Sequence, residues 1–420
     1  MMQKLKLDCD LHAPLTDAQA LVESARCYFC HDAPCIEACP TEINIPQFIR
    51  KISTGAVMSA ARDILAENIM GGTCARVCPV ETLCQKSCVR NKSEDKPVEI
   101  GLLQRFATDA YFKKNQGYGV RQKPTQKKVA LVGAGPATLS CAHRLASLGH
   151  DCVIHEAMKK PGGRNEYGLA PYKMTDEWAQ DEIAHILSIG GITIKTGVNL
   201  GRDIGITELR SQFDAVFLGI GLGGFNRLGI SGEDLPFVHD AVSTIEQIRQ
   251  APKNVKVPDT VVVIGGGSTA IDIAVEAKIL GARDVTIAYR RDADSMRATY
   301  VERELAQTQG VKISENLTPV KINSNQTIEF ERAGSSEKVT LPCGQVFLAI
   351  GQTLLEDTIM PFIEVESGKI MVDQNYMTTL RGVFAGGDCI NGGSLMVRAV
   401  QDGKLAAGAI DRFLRSGENV

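Results

Sequence analysis

The sequence predicts an α/β protein preceded by an all-helical N-terminal domain, and three observations carry that prediction. The first ~115 residues place apolar side chains at helical spacing and contain no convincing strand. From Lys128 onward, short β-branched runs alternate with helical stretches, the pattern of a parallel sheet covered by helices. One unit of that pattern, a strand, a glycine-rich turn, a helix and a second strand, occurs twice about 130 residues apart.

In the first domain Thr16–Arg26 reads as a helix. Ile45–Ala66 reads as another, with Phe48, Ile49, Ile52, Val57, Ala61 and Leu65 near helical spacing, and Ile100–Lys113 closes the domain. The polar stretch 115–128, with two glycines and one proline, reads as a linker. Lys128–Val132 is then the first strand, followed by Gly133-Ala134-Gly135-Pro136-Ala137-Thr138, a helix over Leu139–Leu148, and a strand Cys152–His155 ending at Glu156. The repeat consists of Thr260–Ile264, Gly265-Gly266-Gly267-Ser268-Thr269-Ala270, a helix to about Leu280, and Val285–Tyr289. Ala215–Gly221 and Gln345–Gly351 echo each other as buried strands and mark where the chain leaves the first sheet and returns to it. The expected domains are 1–120, helical; 125–224 with 350–420, the first nucleotide-binding domain; and 225–349, the second.

A chain of 420 residues has room for about two to four domains. Its 44 % hydrophobic and 23 % charged residues are ordinary for a soluble globular protein. A net charge of −3 gives no electrostatic case for nucleic acid or an anionic membrane. No apolar run approaches the ~20 residues of a membrane span. The first eleven residues lack the apolar core of a signal peptide, and 13 cysteines in such a chain suit a reducing compartment, so the reading is cytoplasmic.

Eight of those cysteines crowd into residues 27–88. They read Cys27-x2-Cys30-x4-Cys35-x3-Cys39-Pro40 and Cys74-x3-Cys78-Pro79-x4-Cys84-x3-Cys88. Close spacings wrap a loop round one iron–sulfur cube, and a final cysteine before proline tends to turn away to a neighbouring cluster. Two such runs point to two [4Fe–4S] clusters, which spacing alone divides four and four. The competing readings are a disulfide framework, a pair of zinc sites, or free thiols.

Each glycine-rich turn follows a strand and opens a helix, the context in which backbone approaches a pyrophosphate set against the helix N-terminus. Glu156 lies 23 residues after Gly133 at a strand end, where a carboxylate accepts from a ribose hydroxyl and suits a ligand lacking a 2′-phosphate. The usual third small residue is here Thr138, a departure expected to loosen helix–strand packing. In the second copy Arg290 and Arg291 stand where the acid would be and Arg297 follows, a set suited to the 2′-phosphate of NADP. Its competing reading is a solvated basic turn. Near the C-terminus Gly386-Gly387-Asp388 follows a strand and suits a flavin's ribityl chain, completing an FAD site with Glu156.

With these residues in view the chain resembles a family of flavoproteins with an N-terminal two-cluster domain and tandem Rossmann-like FAD and NADPH domains, the two-dinucleotide-binding flavoprotein type. Members include the small subunit of bacterial glutamate synthase and the N-terminal half of dihydropyrimidine dehydrogenase. The finer match is to electron-input subunits of bacterial dihydropyrimidine dehydrogenases. It is carried by Asp32-Ala-Pro-Cys35, Gly71-Gly-Thr-Cys74-Ala-Arg-Val-Cys78-Pro79, Ile100-Gly-Leu-Leu-Gln104 and Gly163-Arg-Asn-Glu-Tyr-Gly168. The resemblance implies one cluster on Cys27, Cys30, Cys35 and Cys88, and another on Cys39, Cys78, Cys84 and Gln104, with Cys74 not a ligand. Glutamate synthase subunits are expected to carry Glu at the position of Gln104.

The resemblance also implies that FAD lies on Gly133, Gly135, Pro136, Ala137 and Glu156. Gly162, Gly163 and Arg164 would line its path, Lys173 would lie near the flavin, and Gly387 and Asp388 would hold the ribityl chain. NADPH would use Gly266, Gly267, Ser268, Thr269, Arg290, Arg291 and Arg297. Cys9, Cys141, Cys152, Cys343 and Cys389 match no ligand position and read as ordinary, mostly buried thiols. The implied reaction is hydride transfer from NADPH to FAD, then single-electron steps through both clusters to an FMN-containing partner with a ferredoxin-like iron–sulfur module, where uracil or thymine is reduced. The cofactors carry that chemistry, and no residue is singled out as nucleophile or general base.

Overall fold

The computed structural model describes residues 5–114, 117–175, 177–335, 337–360 and 362–416; of the expected linker, Asn115 and Gln116 lie outside the described residues. The chain packs into two units: one of His12–Glu166, Glu177–Gly224 and Thr353–Val420, the other of Met1–Leu11, Tyr167–Asp176 and Phe225–Gln352.

The larger unit begins with helices. Asp17–Ala25 starts at a capping box in which Thr16 accepts from the Gln19 N–H and the Gln19 side chain accepts from the Thr16 N–H. The single helix expected over Ile45–Ala66 is two, Ile45–Ser53 and Val57–Glu67, because Gly55 turns the chain at φ 78°, a left-handed conformation natural to glycine. Both bury one face with Ile100–Phe112 around Phe48, Ile49, Ile64, Leu65 and Leu103; Cys27, Cys35, Cys39, Cys84 and Cys88 pack at the edge of this core.

The rest of this unit is a five-stranded parallel sheet. Lys128–Val132 lies at its centre, flanked by Asp151–Glu156 with Ile192–Thr196 outside it, and by Ala215–Leu218 with Val383–Ala385 beyond. Four of the five central-strand residues are buried, as an interior parallel strand requires. The helices Pro136–Ser147 and Met396–Arg415 cover one face, with Leu139, Leu145, Val400 and Ile410 in the core. Gly403 brings them together: a Cβ there would lie 2.0 Å from the Ala137 carbonyl oxygen.

The smaller unit repeats the parallel sheet, in the order Val238–Asp240, Gln345–Leu348, Thr260–Ile264, Asp284–Ala288 and Lys312–Ser314. The two echoing segments thus occupy equivalent places, each beside the strand that leads into a glycine-rich turn. A three-stranded antiparallel sheet, Leu317–Asn323, Thr327–Arg332 and Lys338–Pro342, is added to this unit.

Two segments depart from the expected boundaries. Leu5, Leu7 and Leu11 pack against the core of the smaller unit rather than the helical layer, and the Leu11 N–H donates to the Tyr172 carbonyl at 2.9 Å. Residues of Tyr167–Asp176 join the same unit, where Ala170 and Tyr172 are fully buried. Three spaced leucines in a polar stretch have no period that names their partner.

Candidate functional site

The thiols of residues 27–88 lie close enough to act on one another's ionisation. Burial, with Cys27, Cys88 and Cys30 acting in the same direction, pushes the Cys35 thiol up to about 12. Cys27 is raised by burial, with Cys30 and Cys88 adding to it. Around a separate cavity stand Cys39, Cys74, Cys78, Cys84 and Gln104, with Asn68 and Val397 in its wall. Burial and then Cys39 and Cys35 raise Cys84, and contact with Cys74 followed by burial raises Cys78. Half-buried thiols that oppose one another's ionisation become good ligands only when positive charge enters among them. Among the described residues no three His, Cys, Asp or Glu side chains are placed to hold one metal ion. Sulfurs spread about a cavity fit a cluster, in which each iron takes one protein ligand, better than a lone ion.

Cys74 and Gln104 are held differently. The Asn68 amide donates to the Cys74 sulfur at 3.0 Å, and both residues are buried. Gln104 donates through Nε2 to the Gly71 carbonyl at 2.7 Å, leaving Oε1 as the acceptor of a side chain that lines the cavity. Of the remaining thiols, Cys141, Cys152, Cys343 and Cys389 are buried and Cys9 is half-buried.

In the same unit the first glycine-rich turn is built by close backbone approach. Gly133 sits at φ 82°, where a Cβ would be 2.6 Å from the Gly219 oxygen, and Pro136 opens the following helix. A Cβ on Gly163 would lie 2.9 Å from the Gly135 Cα, and one on Gly387 3.0 Å from the Ala137 Cβ. The tertiary structure therefore brings Gly135, Ala137, Gly163 and Gly387 to one place from three distant stretches of chain. Glu156 is 6 % exposed and accepts from the N–H groups of Ala134 (2.5 Å) and Met158 (2.7 Å); burial raises its pKa. Asp388 opens the turn after Gly387, accepts from the Ser394 N–H at 3.1 Å, and is raised by burial while Arg164 nearby opposes the shift. Arg164 donates to the Leu222 carbonyl at 3.1 Å. Cradle, strand-end carboxylate and second carboxylate fit a dinucleotide with a polyol arm.

The smaller unit carries the second turn. Gly265 is at φ 146°, a Cβ on Gly266 would meet the Tyr289 ring at 2.4 Å, and Gly267 faces open space before the helix Ser268–Ile279. The Ala298 N–H donates to the Gly266 carbonyl at 3.0 Å, which sets Arg297 beside the turn. Arg290, Arg291 and Arg297 are exposed, with the Arg291 guanidinium 5.7 Å from the Tyr289 ring centroid. Ser268 donates to Glu302 at 3.0 Å, Thr269 is half-buried, and open backbone with three exposed cations fits a phosphorylated ligand.

Lys173, expected near the flavin, belongs to this smaller unit and not to the one with the first turn. It pairs with Asp272 and Glu302, each at 2.8 Å, and Tyr172 donates to Asp272 at 2.9 Å. Sequence reasoning also passed over Asp402, which accepts from the Gly387 N–H at 3.0 Å, and Asn68 and Glu182, which hold the helix of Cys74. For Glu182 and Asp402 the sequence signal is a polar residue among apolar helical positions; Asn68 follows the end of the helix Val57–Glu67.

Residues 6–116 match the family model described as dihydropyrimidine dehydrogenase domain II, 4Fe-4S cluster, and residues 127–403 match pyridine nucleotide-disulphide oxidoreductase. The chain is 36 % identical over 417 residues to the NAD-dependent dihydropyrimidine dehydrogenase subunit PreT of Salmonella typhimurium, covering 99 % of this chain and 98 % of that one. It is 30 % identical to the glutamate synthase [NADPH] small chain of Escherichia coli, over 96 % and 93 % of the two chains. Among solved structures, Mycobacterium tuberculosis FprA in complex with NADPH shares the fold at TM-score 0.61 and 19 % identity, covering 70 % of this chain and 86 % of FprA.

Proposed function

Because the chain belongs to the pyridine nucleotide-disulphide oxidoreductase family, carries a 4Fe–4S domain ahead of it, and aligns over nearly its whole length with a dihydropyrimidine dehydrogenase subunit, we propose its particular task. It takes hydride from NADPH onto FAD and passes electrons through two [4Fe–4S] clusters to a partner subunit that reduces uracil or thymine. A bound flavin supplies the ability to accept two electrons together and release them singly.

The protein's own residues supply position and charge. Gly133 and Gly135 offer backbone to a pyrophosphate, Pro136 fixes the helix start beside it, and Glu156 offers a carboxylate to its ribose. Cys27, Cys30, Cys35 and Cys88 would hold one cluster; Cys39, Cys78, Cys84 and Gln104 would hold the other. Segment 388–397 runs from the Asp388 turn to Val397 in the wall of the second cavity, so that cavity is the thiol set joined to the flavin turn by a short stretch of chain.

The observation that carries the reading is Gln104 beside Cys39, Cys78 and Cys84. An amide there supports the pyrimidine enzyme over the glutamate synthase type, where the resemblance expects Glu. The Salmonella relative is named as NAD-dependent; the guanidinium groups of Arg290, Arg291 and Arg297 argue that this chain prefers NADPH. The test is to capture the chain anaerobically with its native partner, an FMN-containing subunit on this reading, and to measure NADPH oxidation on adding uracil. Uracil-dependent turnover is expected. Silence with uracil and turnover on glutamine plus 2-oxoglutarate would move the chain to glutamate synthase.

A further inference from the structure

The helix Gly71–Val77 carries Cys74, ends at Cys78 and presents the Gly71 carbonyl to Gln104, yet no local side chain caps its start. The cap comes from 110 residues further along. Glu182, on the helix Trp178–Leu187, accepts from the N–H groups of Gly72 and Thr73, each at 3.0 Å, and from the Thr73 hydroxyl. Its side chain is fully buried.

Trp178, one turn earlier, lies on the same helix start. A Cβ on Gly72 would sit 2.3 Å from the Trp178 ring and 3.0 Å from the Glu182 carboxylate, so this contact needs glycine. Arg76 completes the joint: its guanidinium lies 3.4 Å from the Trp178 ring centroid, pairs with Asp109 at 2.8 Å, and donates to the Gly72 carbonyl at 3.0 Å. A local Ser or Asp would satisfy the same N–H groups without saying where the helix must lie. A buried carboxylate from the sheet-bearing part of the unit satisfies them and fixes that place.

We propose that Glu182 is a positioning residue for the Cys78–Gln104 side of the second cluster site, holding it in register with the part of the chain that carries the first glycine-rich turn. The inference rests on the functional reading above. Supporting residues behind metal ligands commonly cost roughly 10–100-fold in affinity or activity when removed.

The experiment uses the full-length chain with flavin and clusters in place, as wild type, Glu182→Leu, Glu182→Gln and Gly72→Ala. Stopped-flow absorbance separates flavin bleaching by NADPH from the later reduction of the clusters, and electron paramagnetic resonance records each reduced cluster. In Glu182→Leu, flavin bleaching stays within about twofold of wild type, cluster reduction slows about tenfold, and one cluster signal changes while the other does not. Gly72→Ala, which forces the same joint open, gives the same selective defect should Glu182→Leu fail to fold. Glu182→Gln, still able to accept from both N–H groups, stays near wild type. Unchanged cluster reduction in Glu182→Leu or Gly72→Ala, or equal slowing of both steps, overturns the assignment alone. A wild-type chain that takes up no iron overturns the functional reading together with it.

Discussion

Thr138 stands where a dinucleotide turn usually has glycine or alanine, and Gly219 explains how the fold admits it. A Cβ on Gly219 would lie 2.0 Å from the Thr138 hydroxyl, so the extra bulk of one residue occupies the space left by the other, and the expected loosening has a local remedy. The Thr138 hydroxyl is buried without a hydrogen-bond partner among the described residues. Gly219→Ala should therefore cost roughly 1–3 kcal/mol by overpacking, and adding Thr138→Ala should recover most of it; urea denaturation of the three variants reads this out, and additive losses would refute the pairing. Cys74 gives a second residue-scale expectation. With Asn68 on its sulfur and Gln104 at the cavity, Cys74→Ser should retain about eight irons per chain in the two-cluster arrangement; a loss of four would make Cys74 a ligand. For Arg291→Ala, loss of one charge-assisted contact predicts roughly a tenfold rise in the KM for NADPH with little change for NADH. Equal rises for both would remove Arg291 from the 2′-phosphate.

Between elements, the decisive devices are missing side chains. Gly403 lets the last helix meet the first turn's helix at the Ala137 carbonyl, and Gly387 brings the Asp388 turn onto Ala137. Gly403→Ala should push these helices apart, lowering stability by about 2 kcal/mol and weakening flavin retention more than thermal stability alone explains. Flavin content after gel filtration, compared with an equally destabilised variant in the helical core such as Leu103→Ala, tests that; matched losses would show Gly403 to be mere packing. The period-3.6 patterns and strand–turn–helix units were readable because each is local. Gly55 was readable only as a glycine: that it would split one periodic run into two helices depends on Ile45–Ser53 and Val57–Glu67 both packing against Ile100–Phe112.

For the molecule as a whole, buried titratable groups make stability depend on pH in opposing ways. Burial raises Glu182 from 4.5 to about 7, so its contribution is fully present below pH 4.5 and is lost as pH rises through 7. Burial lowers His143 and His185 from 6.5 to about 4, so theirs is present above pH 6.5 and is lost as pH falls through 4. Glu156, Asp272, Glu276, Asp388 and Asp402 are raised by burial in the same sense as Glu182, and His155 and His239 are lowered in the same sense as His143 and His185, so each direction of pH change draws on several groups. Wild type should also lose stability relative to Glu182→Gln between pH 4.5 and 7; denaturant midpoints that run parallel over that range would contradict a carboxyl whose ionisation is opposed by burial. By itself the sequence determined the order of domains, the eight clustered cysteines, both glycine-rich turns and the strand-end Glu156, because spacing along the chain encodes each. Only the tertiary structure decided that Leu5, Leu7, Leu11 and Lys173 join the second sheet's unit, that Gly163 and Gly387 meet the first turn, and that Glu182 caps a helix 110 residues away. Those pairings are set by shape and by buried hydrogen-bond satisfaction, which act across space and leave no period in the sequence.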